Sequence, residues 1–162
     1  MSSVQKLLRG AIADAIPRLN AISEGDAARP RSPGKWSRKE IVGHLIDSAS
    51  NNHQRFVRAQ FTDDLICPTY DQDAWVRAQG YAQAPWSELV SLWALFNLQL
   101  ARVMDAIPAE SRIRPRTRHN LDQVAFRAVP PSEPATLEYF MEDYVVHLEH
   151  HLAQIFEPVN RT

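Results

Sequence analysis

The chain has 162 residues, of which 44% are apolar and 23% charged, and its formal net charge is -1 at pH 7. That length is enough for one hydrophobic core, so a single domain over residues 1–162 is expected. The near-zero charge excludes a general electrostatic pull toward nucleic acid, and no apolar run approaches the roughly 20 residues that cross a bilayer, so neither nucleic acid nor membrane is an expected partner.

Eleven prolines and five glycines punctuate four long segments of helical periodicity, with no repeat of fixed period and no low-complexity tract. The first runs from about Val4 to Ile22 and sets Leu7, Leu8, Ala11, Ile12, Ala15, Ile16 and Leu19 on one stripe, with Pro17 a point of kinking. A turn-rich run, Arg29 to Gly34, breaks the pattern. Ser37-Arg38-Lys39-Glu40 then reads as a capping box, in which serine and glutamate satisfy opposite backbone donors, and opens a second helix reaching Gln60.

Residues 61–84 hold no long helix by pattern, only a short turn at Asp73-Ala74-Trp75-Val76-Arg77. A third helix follows Pro85, taken as its first helical residue, and aligns Leu89, Leu92, Trp93, Phe96, Leu100, Val103, Met104 and Ile107 before Pro108. Ser132-Glu133-Pro134 offers a cap for the last helix, which aligns Leu137, Phe140, Met141, Tyr144, Val145, Leu148, Leu152 and Ile155. Four such helices without strand alternation predict an all-α four-helix bundle. The connections 61–84 and 109–133 are too long for a simple up-and-down bundle and imply a crossover. The aromatic-rich first one reads as a lid.

Cys67 is the single cysteine, so no intrachain disulfide and no thiolate-rich metal site can form, and any metal ligands must be nitrogen or oxygen. His147 and His151 stand four residues apart on the last helix, so both rings project from one face, on the side of Phe140 and Tyr144. His44 shares a face of the second helix with Ile41, Ser48 and Asn51. Three imidazoles from two helices can converge on one divalent ion and leave coordination positions open, as in catalytic zinc sites. The alternative is three packed histidines, since an i, i+4 pair is common without metal. His53, His119 and His150 fall outside the set. His147-Leu148-Glu149-His150-His151 is not the HExxH peptidase motif, because Leu148 stands where that motif places its glutamate base.

The block Trp36-Ser37-Arg38-Lys39-Glu40-Ile41-Val42-Gly43-His44-Leu45, followed much later by His147 and His151, resembles the DinB-like superfamily of bacterial four-helix metalloproteins. Asn51-Asn52-His53-Gln54-Arg55-Phe56 and Tyr70 to Trp75 are also similar to one of its subgroups. The resemblance implies an up-down-down-up bundle, a homodimer, and a divalent ion, zinc or nickel, on His44, His147 and His151. It further implies a metal-dependent hydrolase or a transferase of a low-molecular-weight thiol, of the bacillithiol or mycothiol kind, acting on a small-molecule substrate.

Around the histidines, Asp47, Ser48, Asn51, Asn52, Asp71, Trp75 and Tyr144 are candidate pocket residues, each with an ordinary alternative as helix surface, turn cap or core. Cys67 has no activating neighbour and reads as an ordinary thiol. The alternating basic run Arg112, Arg114, Arg116, Arg118 and His119 reads as a solvated loop. The opening MSSVQKLLRG lacks a signal-peptide core, so a cytoplasmic location is expected, and the tail 157–162 is given no role. A non-enzymatic metal- or ligand-binding stress protein is the competing reading.

Overall fold

The computed structural model describes residues 3–158, so the opening residues 1–2 and the tail residues 159–162 lie outside it. In chain order the elements are α1 (Ser3–Asn20), α2 (Glu24–Ala28), α3 (Arg38–Arg58), α4 (Gln72–Gln79), a 3-10 turn (Tyr81–Gln83), α5 (Trp86–Ala106), α6 (Ala109–Ile113), α7 (Leu121–Val124) and α8 (Leu137–Phe156). The long helices α1, α3, α5 and α8 are the ones the periodicity predicts. Among the described residues no helix is long and apolar enough to cross a membrane.

Contacts between helix ends fix the topology. Gln5 Nε2 donates to Asp105 Oδ1 at 2.9 Å and Trp86 Nε1 to the Leu19 carbonyl at 3.0 Å, so α1 and α5 run antiparallel. Lys39 Nζ donates to the Ala84 carbonyl at 2.7 Å, which places the starts of α3 and α5 together and makes them parallel. At the start of α3, Arg38 Nε reaches the Ile155 carbonyl at 2.8 Å; at its end, the Phe56 and Phe140 rings meet at 5.6 Å, so α3 and α8 are antiparallel. Arg18 lies 3.6 Å over the Phe156 ring, joining the ends of the parallel pair α1 and α8. The result is an up-down-down-up bundle with one continuous core, in which Leu8, Phe56, Trp93, Leu100, Met104 and Phe140 are buried.

The capping box forms as expected: Glu40 N donates to Ser37 Oγ at 3.3 Å and Ser37 N to Glu40 Oε2 at 2.8 Å. Elsewhere the structure corrects the reading. Helix α3 stops at Arg58, short of Gln60. The segment read as a turn is the eight-residue α4, capped by Asp71 through the Ala74 amide and closed by left-handed Gly80 at φ 65°. Only Val76 of α4 is buried, so no apolar stripe marks it in the sequence. Pro85 sits at the cap position of α5, one residue before its first turn. Helix α8 is capped by Thr136, which accepts from Tyr139 N at 3.1 Å; Ser132 does not cap it, because Ala135 is still paired with Arg116 in an isolated bridge. Leu7 and Leu92, expected on core stripes, are 56% and 50% exposed.

The basic run is not a free solvated loop. Arg112 pairs with Glu138, Arg114 with Asp63, and buried Arg116 donates to the Ala59 carbonyl at 2.9 Å. His119 is also buried, with Nε2 at 2.7 Å from the Glu133 carbonyl and Nδ1 accepting from Leu121 N. Leu65 N donates to the Arg118 carbonyl at 3.0 Å, and the Asn120 amide both accepts from Cys67 N and donates to the Cys67 carbonyl. The two long connections are thereby stitched to each other. Cys67 lies buried within this seam, and burial raises its thiol pKa, which keeps it a thiol.

Gly43 is packed against the Tyr81 side chain, and a β-carbon there would collide with that ring. Gly43→Ala is therefore expected to destabilise the protein by about 1–3 kcal/mol, read as a lower urea midpoint, because the overpacked 3-10 turn has to move off α3.

Candidate metal centre

The antiparallel apposition of α3 and α8 brings His44 from one helix against His147 and His151 from the other. One nitrogen from each of the three rings lies within 4.8 Å of the others. His44 Nε2 and His147 Nε2 are 3.3 Å apart, which matches the separation of about 3.3 Å between two nitrogens bound at about 2.0–2.1 Å to one tetrahedral ion. His44 is buried, the other two are half-buried, and the three rings meet edge to face at centroid distances of 4.6 to 5.2 Å. Trp36, from the turn before α3, packs on His44 at 5.2 Å.

Neighbours orient the rings. His151 Nδ1 is 2.8 Å from Gln154 Oε1, an acceptor, so Nδ1 carries the proton and Nε2 keeps its lone pair. Ser48 Oγ is 3.4 Å from His147 Nδ1 and can hold that ring in the same tautomer. His44 Nδ1 is buried with no hydrogen-bond partner among the described residues. Burial first, then the mutual repulsion of the rings, lowers His44 to about 4 and His147 to about 2, and burial lowers His151 as well. All three are neutral near pH 7. The donor set thus suits a cation.

His44 and His147 open onto a cavity of about 250 Å³; His151 completes the triangle without lining it. Of the candidate pocket residues, Ser48, Asn52 and Tyr144 line this cavity. Tyr144 is buried and its hydroxyl donates to Asn97 Oδ1, so that proton is held within the core. Asp47 is elsewhere: Tyr81 Oη donates to its Oδ1 at 2.7 Å, and Gln79 also donates to it. Asn51 turns back on the Asp47 carbonyl, Asp71 caps α4, and Trp75 packs on Tyr70 at 4.8 Å. None of these four lines the cavity.

The structure adds lining residues outside the candidate pocket set: Arg55, Thr69, Tyr70, Gln123, Phe126, Phe140 and Asp143. Thr69 and Tyr70 come from the first long connection and Gln123 and Phe126 from the second, so both wall the site. Asp143 Oδ1 and Oδ2 accept from the Arg127 and Phe126 amides at 2.8 and 2.7 Å, and Arg127 Nε adds an ion pair at 3.2 Å. The spacing 44, 48, 52, 55 marks one face of α3 and was the available signal for Arg55.

This fold has relatives. The DinB superfamily matches residues 7–155. The chain belongs to that superfamily. Among solved structures, YfiT from Bacillus subtilis, described as a probable metal-dependent hydrolase with an unusual four-helix bundle topology, is 20% identical at a TM-score of 0.75, over 96% of this chain and 86% of its own. The mycothiol-dependent maleylpyruvate isomerase is 8% identical at a TM-score of 0.69, over 94% of this chain but 59% of its own. At these identities the likeness is one of fold. No curated protein matched the DinB-family chain.

The lowered histidines make metal-free stability depend on pH. The native rings bind protons less readily than the unfolded chain, whose ordinary value is 6.5, so stability is complete above that value and declines as pH falls through it. The urea midpoint of metal-free protein is expected to drop between about pH 7 and pH 5, with a shallower drop in His147→Ala.

Proposed function

We propose that the protein, acting as one domain over residues 1–162, is a metal-dependent enzyme of small-molecule chemistry in which His44, His147 and His151 hold one divalent ion. The observation that carries this reading is the triangle of neutral imidazoles opening onto a walled cavity. An all-nitrogen donor set suits zinc or nickel. A divalent ion held there makes water or a thiol acidic enough to attack near neutral pH.

The residues around the triangle supply the rest. Ser48 and Gln154 keep the His147 and His151 rings aimed inward, while Phe126 and Phe140 cover the cavity with apolar surface that restricts water. The Asp143 carboxylate faces the cavity but is bound by two backbone amides and Arg127, so it is a poor general base. That favours transfer of a low-molecular-weight thiol to an electrophile over hydrolysis, because a thiol ionises near pH 8.5, about seven units more readily than water, and needs less help from a base. The same scarcity of a free base supports the second reading, a non-enzymatic metal- or ligand-binding stress protein. We further propose a cytoplasmic location and a homodimer; Leu92 and Leu95, 50% and 66% exposed on one face of α5, offer an apolar strip for the latter.

Elemental analysis of untagged protein is expected to find near-stoichiometric zinc or nickel in wild type and His150→Ala, and its loss in His44→Ala, His147→Ala and His151→Ala. Absence of metal after reconstitution overturns the proposal. Turnover of a thiol with an epoxide or ester panel, abolished by chelation, is the expected activity; binding without conversion across the panel selects the second reading.

A further inference from the structure

The cavity beside the histidines contains a cation that the sequence reading did not single out. Arg55 is 7% exposed and is one of the residues lining the cavity, its guanidinium carbon 5.8 Å from the Phe140 centroid and 6.0 Å from that of Tyr70, two further lining residues. Buried arginines are ordinarily paired with a carboxylate. Among the described residues none is within ion-pair distance: Nη2 donates to the Pro68 carbonyl at 2.9 Å, Nη1 reaches Asn52 Oδ1 at 3.5 Å, and Nε is buried with no partner among them. Of the five N–H donors a guanidinium carries, most stay unused. The nearby carboxylate, Asp143, is already matched by Arg127.

We propose that Arg55 is the anion-recognising residue of this site and that the substrate is a small carboxylic acid, its carboxylate on the guanidinium and its body against Phe126, Phe140 and Tyr144. The inference rests on reading the cavity as the substrate site. An uncompensated buried guanidinium is costly to maintain in the empty site and is relieved when an anion supplies the missing acceptors. Burial already weakens its hold on the proton, as expected of a cation with no counter-charge. One cation, with no second lysine or arginine on the lining among the described residues, matches a singly charged carboxylate better than a doubly charged phosphate. Arg55 lies three turns along α3 from His44, so an acid held at one end of the cavity extends its other end toward the three imidazoles.

The test uses the full chain stripped of metal, so its outcome does not depend on whether the histidines hold an ion. Benzoate, its uncharged isostere benzamide, and inorganic phosphate are titrated while backbone amide shifts are followed by NMR. Benzoate is expected to saturate about tenfold more tightly than benzamide, to lose about that factor in Arg55→Gln, and to recover part of it in Arg55→Lys. Benzoate binding no tighter than benzamide in wild type overturns the proposal even if Arg55→Gln fails to fold. So does undiminished benzoate binding in a folded Arg55→Gln protein, and phosphate binding tighter than benzoate overturns the carboxylate assignment.

Discussion

The antiparallel contact between α3 and α8 is the constraint on which the rest of this molecule depends. It places three imidazoles where water is scarce, and scarcity of water keeps them uncharged. An apolar seam at the same place would pack more simply. Rings held by Ser48, Gln154 and Trp36 instead bring His44 Nε2 and His147 Nε2 to within 3.3 Å of each other. His44 Nδ1, buried and without a hydrogen-bond partner among the described residues, adds an unmet polar group to the same seam.

Topology does the remaining work. Because α3 and α5 are parallel neighbours, the chain must travel back along the bundle between them, and it does so through α4 and the 3-10 turn. The second long connection, with α6 and α7, is tied to the first by the Leu65 and Asn120 hydrogen bonds and by Arg114 with Asp63. What reads as two loose excursions is one stitched layer, and its inner edge forms part of the wall in front of the histidines. Tyr81, seated on Gly43 and bonded to Asp47, fastens the first connection to α3 one residue from His44.

The sequence made the helices legible because burial on one side leaves a period near 3.6, and it made the triangle legible because i, i+4 spacing and inward phase are local properties. The capping box at Ser37 was equally local. What escaped were features decided by distant partners. Helix α4 buries only Val76 and shows no stripe; Thr136 displaces Ser132 as a cap because Ala135 pairs with Arg116; Leu7 and Leu92 continue a stripe wider than the surface that covers it. The site followed the same division. Asp47, Asn51, Asp71 and Trp75 have partners outside the cavity, while Arg55 and Asp143 acquire their meaning only once the connections fold over them.

That layered arrangement separates two kinds of variation. The imidazoles stand on the two long helices, but Thr69, Tyr70, Gln123 and Phe126 stand on connections whose backbone does not carry them. Residues in those connections can be exchanged, lengthened or repacked without altering the donor atoms, as long as the Asn120 stitch and the seat of Tyr81 on Gly43 and Asp47 survive. The cavity can therefore be reshaped by editing its cover, which makes the connections the natural ground for redesign and the α3/α8 seam the part to leave alone.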